Sequence, residues 1–206
     1  MKIEIKKSIK PIHYNSAMKI LEKKMAKKKK DKSIDFIWAL EHPDTYTAGI
    51  STKDSEILDK SIDLIKTNRG GKITFHGPGQ KIFYFIIDLN KRKRDIRNFI
   101  KIIEKTIIQT LDEYGIKSFS DRKNIGIWVV HKKKIKKVAA IGLKIKNWIA
   151  YHGFALNIEN SLTPYKKIIP CGIKNREVTN LKIIKNQDYN KITEKIIKNF
   201  KLNLKN

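Results

Sequence analysis

RGGKITFHGPGQ, residues 69–80, holds four of the ten glycines of a 206-residue chain. Glycine adopts positive φ at no steric cost and lets a backbone approach a ligand closely, so this density predicts a binding loop. The spacing matches neither the phosphate-binding GxxxxGKS loop nor the dinucleotide-binding GxGxxG turn. A turn-rich connector between two strands is the plain alternative.

Apolar runs of strand length lie on both sides of this loop. They are rich in β-branched and aromatic residues and are bounded by polar segments, which is typical of buried strands. Four runs are predicted as strands: residues 34–40, 81–89, 125–130 and, as two strands joined near Asn147, residues 138–158. The polar segment between residue 41 and about residue 60 is predicted to be a loop.

Three segments carry apolar residues at helical spacing. They are residues 11–30, a segment that Asp95 caps and Gly115 ends, and a closing segment around residues 192–200. Helices and strands alternate without a regular βαβ order. The sequence therefore predicts an α/β protein of the α+β type, in which helices flank a mixed β-sheet.

Length and composition indicate one folded domain, residues 1–206, because a hydrophobic fraction of 40% is enough to build a packed core. The chain contains no uncharged apolar run of about 18 residues that would span a bilayer. Its N-terminus also lacks the apolar core of a signal peptide. We therefore expect a cytoplasmic protein without a membrane partner.

The formal charge of +26 comes from 46 basic residues, of which six are Arg and the rest are Lys dispersed along the chain. Clustered basic residues bind nucleic acids, but dispersed Lys among Ile and Asn is also what A- and T-rich codons produce. A positive field could instead steer acidic partners. The prediction is that nucleic acid is not a partner.

Cys171 is the one cysteine of the chain and lies in the sequence Pro170-Cys171-Gly172. A lone cysteine is either a small buried hydrophobe or a free thiol available for chemistry. Reaction at neutral pH requires a nearby cation that favours the thiolate. Candidates for that cation are His76, His152 and the Lys cluster that precedes Val138, and sequence spacing does not choose among them.

Seven ordered segments of the chain resemble the lipoyl(octanoyl) transferase family, also called lipoate-protein ligase B. The resemblance runs from about residue 38 to residue 181. Its segments are LEHPDTYTAG at 40–49, RGGKITFHGPGQ at 69–80, GIWV at 126–129, KVAAIG at 137–142, HGFALN at 152–157, IPCGI at 169–173 and VT at 178–179.

This resemblance implies a biotin/lipoyl protein ligase-like fold and a single catalytic domain. It also implies an acyltransferase that moves octanoyl from octanoyl-acyl carrier protein, through a Cys171 thioester, to a lysine of lipoyl domains. The implied acceptors are the E2 subunits of 2-oxoacid dehydrogenases and the glycine cleavage H protein. The family needs no ATP, cofactor or metal and is usually monomeric, so we expect the same here.

The resemblance also assigns site residues. Cys171 is the implied nucleophile and Lys137 the cation beside it. Lys137 is selected from the run of lysines by its fixed offset to Ala139 and Gly142. The implied acyl-binding residues are Arg69, Gly70, Gly71, Lys72, Ile73, Thr74, Phe75, His76, Ala140, Ile141, Gly142, Gly153, Phe154 and Ala155.

Two other hypotheses compete with this one. An ATP-dependent lipoate or biotin protein ligase shares the fold and activates a free acid as an acyl-adenylate, without a nucleophilic cysteine. The GRGRxxR loop of biotin ligases is absent from this sequence. A non-enzymatic basic binding protein would use the positive charge and leave Cys171 inert.

Overall fold

The computed structural model describes residues 2–30, 34–172 and 177–205, apart from the side chains at positions 29, 30 and 171. The helices are α1 Tyr14–Lys30, α2 Ile96–Asp112, α3 Leu181–Ile184 and α4 Ile192–Asn203. The strands are β1 Lys2–Lys7, β2 Ile34–Leu40, β3 Thr45–Ala48, β4 Leu64–Lys66, β5 Thr74–His76, β6 Gln80–Asp88, β7 Phe119–Ser120, β8 Ile127–His131, β9 Lys134–Lys146, β10 Ile149–Asn157 and β11 Glu177–Val178.

The described strands form one large mixed sheet and one small sheet. The large sheet has the order β1-β2-β6-β10-β9-β8-β7, and β11 adds to β9. The β1–β2 and β9–β11 pairs are parallel, and the other neighbours are antiparallel. The small sheet has the order β4-β3-β5. This arrangement confirms the predicted mixed sheet flanked by helices.

Side-chain alternation along β6 separates two apolar layers. Ile82 and Tyr84 join the cluster that α1 covers, whereas Phe83 and Phe85 join the larger cluster on the opposite face. In that larger cluster the Phe85 ring packs against one ring of α2 and one of α4, with ring-centroid distances of 5.4 and 5.6 Å. The central strands are therefore buried on both faces, which explains their nearly continuous apolar sequence.

Most predicted elements are confirmed, with two differences in the strands. The segment predicted as a polar loop contains β3, so that prediction is wrong over Thr45–Ala48. The strand is too short and too polar to be recognised from its sequence, and its pairing with β4 and β5 holds it in place.

Strand β9 begins at Lys134 instead of residue 138. Lys132 and Lys133 have φ of 49° and 62° and form a tight hairpin turn where Asn and Gly are the usual residues.

Replacing Asp35 with Ala is expected to lower the free energy of unfolding by about 3–5 kcal/mol, because the change removes the carboxylate from a buried cationic cluster. Asp35 accepts hydrogen bonds from Lys28 Nζ at 3.1 Å and Arg92 Nη2 at 2.7 Å. Urea unfolding measures the change. Asp112→Ala breaks an exposed pair with Lys117 and should leave the midpoint unchanged. Equal effects of the two variants would contradict this interpretation.

Candidate active site

A cavity of about 480 Å³ lies between the glycine-rich loop and strands β9 and β10. The loop is fixed against the sheet because the Gly70 amide donates to the Leu143 carbonyl at 2.8 Å. Thirteen of the sixteen predicted site residues line this cavity. They are Arg69, Gly70, Gly71, Lys72, Thr74, His76, Lys137, Ala140, Ile141, Gly142, Gly153, Phe154 and Ala155.

Ile73 and Phe75 do not line the cavity. They are 0% and 1% exposed and form a separate apolar cluster with Tyr165 and Ile168. Alternation along β5 explains this, since Thr74 and His76 point to the cavity while their neighbours point away. Ile73 and Phe75 therefore anchor the loop on the side that faces away from the cavity.

A β-bulge in β9 turns the Lys137 side chain toward the cavity. Trp128 of β8 pairs with Lys137, but the preceding Ile127 pairs with Ala139, so Val138 is an extra residue. A one-residue bulge inverts the alternation on its strand. Val138 and Ala139 therefore both join the large apolar core. The side chain of Lys137 comes to the same side of the sheet as that of Ala140.

The Lys137 side chain is 5% exposed and has defined partners. Its Nζ donates to the Ile125 carbonyl at 3.1 Å and lies 4.6 Å from the centroid of the Trp128 ring. Gly126 makes room for it: φ is 138° there, and a Cβ would lie 3.2 Å from Nζ and 2.7 Å from the Ala139 carbonyl. Both of these partners are neutral groups.

The backbone of Cys171 lies in a short 3₁₀ turn, Pro170–Gly172. Directly after Cys171, Gly172 has φ of 67°, and a Cβ there would collide with the ammonium of Lys72, which pairs with Glu56. Further along, Val178 of β11 pairs with Lys137 in parallel register, and the Thr179 amide donates to the Lys137 carbonyl at 2.9 Å. The chain that follows Cys171 therefore lies beside two lysines that line the cavity.

The Cys171 side chain and Ile173 of the predicted IPCGI segment lie outside the described part of the structure. The nucleophilic role of Cys171 therefore stays a prediction, as do the substrate contacts of the cavity residues.

The two histidines that line the cavity are neutral at pH 7. Burial, with smaller contributions from His42 and Arg69, lowers the pKa of His76 to about 3. Burial, together with Arg69 and Lys144, lowers the pKa of His152 to about 4. Neither imidazole can serve as the cation beside a thiolate at neutral pH, which leaves the lysines among the candidates from the sequence.

Sequence reasoning missed several residues of the cavity. Tyr14, Ile82, Tyr84, Ile96 and Ile100 also line it. Four of them lie in helices or strands whose apolar spacing marks them only as core. Tyr84 carries a weak signal, because it is a hydroxyl-bearing residue within the otherwise apolar run IFYFII.

Residues 2–30, 34–172 and 177–205 contain no helix that is both long and apolar enough to cross a membrane. Over the same ranges, no three His, Cys, Asp or Glu side chains lie together as metal ligands would.

The fold is that of the lipoate-protein ligases. A solved structure titled as lipoate-protein ligase A bound with ATP has a TM-score of 0.75 to this chain at 15% identity, covering 100% of this chain and 86% of that one. In sequence, the family model of the lipoyl protein ligase A/B catalytic domain matches residues 13–201.

Relatives at higher identity refine this assignment. An octanoyltransferase of Wolbachia sp. subsp. Brugia malayi (strain TRS) is 42% identical over 172 residues, which cover 83% of this chain and 84% of that protein. An octanoyltransferase of Anaplasma marginale (strain Florida) is 39% identical, covering 82% and 80%. The chain therefore belongs to the lipoyl protein ligase A/B family, among its octanoyltransferases.

The free energy of unfolding is expected to fall as pH drops from about 6.5 toward 4. The unfolded chain protonates His152 at its ordinary pKa of 6.5, whereas the folded chain resists until pH is near 4. One histidine contributes at most about 1.4 kcal/mol per pH unit. Asparagine tolerates positive φ, so His152→Asn keeps the backbone conformation. In this variant the free energy of unfolding, measured by urea unfolding across this pH range, should depend less steeply on pH. An unchanged slope would contradict the assignment.

Proposed function

We propose that this protein transfers octanoyl from octanoyl-acyl carrier protein to Cys171, and from Cys171 to the lysine of lipoyl domains. The acceptors we propose are the E2 subunits of 2-oxoacid dehydrogenases and the glycine cleavage H protein. Membership among the octanoyltransferases supports the reaction class. The position of Lys137 in the cavity is the observation that supports the proposed chemistry.

The reaction consists of two acyl transfers. In the first, the Cys171 thiolate attacks the thioester carbonyl, a new carbon–sulfur bond forms, and the carrier thiol leaves with a proton. In the second, the acceptor amine attacks the acyl-enzyme, loses a proton, and expels the Cys171 thiolate as the amide forms. Exchange of thioesters is nearly isoenergetic and amide formation is downhill, so the second transfer drives the sequence.

Lys137 has two roles in this reaction. Its ammonium favours the thiolate form of Cys171, because an adjacent opposite charge stabilises the ionised state. It also passes protons to the leaving thiol and from the attacking amine. Contact of β11 with the Lys137 backbone supports this assignment, since β11 begins six residues after Cys171.

The acyl chain lies over the small residues of β9 and β10. Ala140 pairs with Ala155, and Gly142 pairs with Gly153, so two neighbouring strands carry small residues beside the cavity. The glycine-rich loop closes the cavity at Gly142, because a Cβ there would lie 3.2 Å from Arg69 Cδ. Such a closed apolar channel keeps water from the thioester.

Incubation with octanoyl-acyl carrier protein, followed by intact mass spectrometry, tests the first transfer. We expect the mass to increase by one octanoyl group in the native protein and to stay unchanged in Cys171→Ala, which has no sulfur to acylate. An adduct that survives in Cys171→Ala would overturn the assignment of the nucleophile. AMP release with free octanoate and ATP would favour the ligase hypothesis instead, and an inert protein in both assays would favour a binding function.

Lys137→Ala is expected to slow octanoyl transfer by about a hundredfold or more, because the thiolate and the proton relay both lose the amine. Alkylation of Cys171 by iodoacetamide at pH 7 should slow as well. Lys137→Arg separates the two roles: it should restore alkylation, which needs charge, but not transfer, which needs a proton donor.

Lys134→Ala is the matched control for Lys137. Lys134 lies on the same strand and forms an exposed pair with Glu177, which Lys136 also contacts. Both rates should stay at native values in Lys134→Ala. Native rates in Lys137→Ala, with the circular dichroism spectrum unchanged, would exclude Lys137 from the reaction.

A further inference from the structure

A second cavity, of about 700 Å³, lies beneath α1, and the proposed reaction does not use it. Its lining combines apolar residues, among them Met18, Met25 and Tyr151, with Lys66, Lys144 and Lys146 and the polar residues Asn15, Glu22, Thr67 and Asn68. The apolar part of this lining accepts an aliphatic chain, and lysine stems add methylene groups to it while their ammonium groups remain in water.

The second cavity continues the line of the acyl channel. Alternate residues of β9 lie on one face of the sheet, so Ala140, Gly142, Lys144 and Lys146 form one row. The first two line the first cavity, and the last two line the second. The glycine-rich loop crosses this row at Gly142, where a Cβ would lie 3.2 Å from Arg69 Cδ and 3.3 Å from the Gly70 carbonyl oxygen. An acyl chain that starts near Lys137 therefore reaches the second cavity only by passing beside this crossing.

Tyr14 and His152 are the two side chains that line both cavities. Tyr14 is the first residue of α1 and is 3% exposed. Its ring forms a three-ring cluster with two imidazoles, with centroid distances of 5.3 Å to His42 and 6.3 Å to His76. These contacts fix the ring at the boundary between the two cavities.

His152 reaches the boundary through an unusual backbone conformation. Its φ is 65°, in the left-handed region that non-glycine residues rarely adopt. The neighbouring even-numbered residues of β10, Ala150 and Phe154, point to the α2 face. The His152 ring instead stacks on Tyr151 at 4.9 Å and meets Tyr84 at 6.4 Å, and both belong to the α1 face.

The His152 ring is held in this place by a hydrogen bond between Nε2 and Asn68 Oδ1 at 2.9 Å. Its buried Nδ1 has no hydrogen-bond partner among the described residues. The boundary therefore combines the phenol ring of Tyr14 with the fixed imidazole of His152, and both oppose a longer chain by their volume.

We propose that Tyr14 and His152 form the end wall of the acyl channel and set the length of acyl chain that the enzyme accepts. This inference rests on the proposed octanoyl transfer. A chain of octanoyl length ends at the wall, and a longer chain must displace the Tyr14 ring or fold back. Removal of the ring joins the two cavities and lets longer chains extend beneath α1.

The test is a competition among octanoyl, decanoyl, dodecanoyl and tetradecanoyl thioesters of acyl carrier protein, with the acyl-enzyme analysed by intact mass spectrometry. The native protein should prefer octanoyl over tetradecanoyl by about tenfold or more, the scale on which one or a few methylenes are discriminated. Tyr14→Ala should reduce that ratio by about tenfold. Tyr14→Phe keeps the ring and should keep the native ratio.

A refilling variant sharpens the test. Met18 lies one helical turn after Tyr14 and lines only the second of the two cavities. Met18→Trp, added to Tyr14→Ala, should fill the joined space and restore the octanoyl preference. Met25→Ala enlarges the second cavity without opening the wall, so its length profile should match the native one.

The possible outcomes distinguish a failure of the end-wall proposal from a failure of the proposed octanoyl transfer. If the native protein takes no acyl group from any thioester, the proposed transfer itself fails. If the native protein takes octanoyl and Tyr14→Ala shows the same length profile, the end wall is wrong and the transfer stands. Should Tyr14→Ala fail to fold, Tyr14→Leu shortens the side chain while keeping apolar contact, and the same comparison decides.

Discussion

The bulge at Val138 is the constraint on which the site depends. A regular strand would send Lys137 to the face that carries Ala139 and would bury its ammonium in the apolar core beneath α2. The extra residue lets Val138 and Ala139 both enter that core while Lys137 crosses to the other side. The bulge therefore lets one residue pack in the core while the residue next to it on the same strand places a cation in the cavity.

The charge of Lys137 remains available because its partners do not cancel it. Lys72, also in the cavity, pairs with the carboxylate of Glu56. Lys137 instead contacts a carbonyl oxygen and an aromatic face, and within the described residues it forms no ion pair with a carboxylate. A carbonyl and a π-face orient an ammonium without neutralising it. The Lys137 ammonium can therefore attract an anion that enters the cavity.

Sequence patterns predicted the elements that long apolar periodicity specifies, and missed features that depend on tertiary contacts. Helix α2 is readable from its apolar stripe, its cap at Asp95 and Gly115, which follows its last residue Asp112 by three positions. Strand β3 could not be predicted because TYTA is only four residues long and buries its two threonines. The bulge is equally hidden, since KVAAIG reads as continuous strand. Lys137 stood out from its lysine run only through the resemblance, because spacing alone does not show which lysine changes face.

The same argument explains why the extent of the cavity escaped prediction. Tyr14 begins a helix whose apolar residues mark it as core, and nothing local shows that its ring meets imidazoles from two distant segments. For His152 the difficulty is different. Its position in the HGFALN segment was recognisable, but its positive φ turns the ring to the opposite face of the sheet from the one that regular strand alternation predicts. Strand periodicity predicts a side only where the backbone is regular. At this site the chain departs from regularity twice, at Val138 and at His152, and each departure moves a polar side chain into the space where the acyl group is proposed to bind.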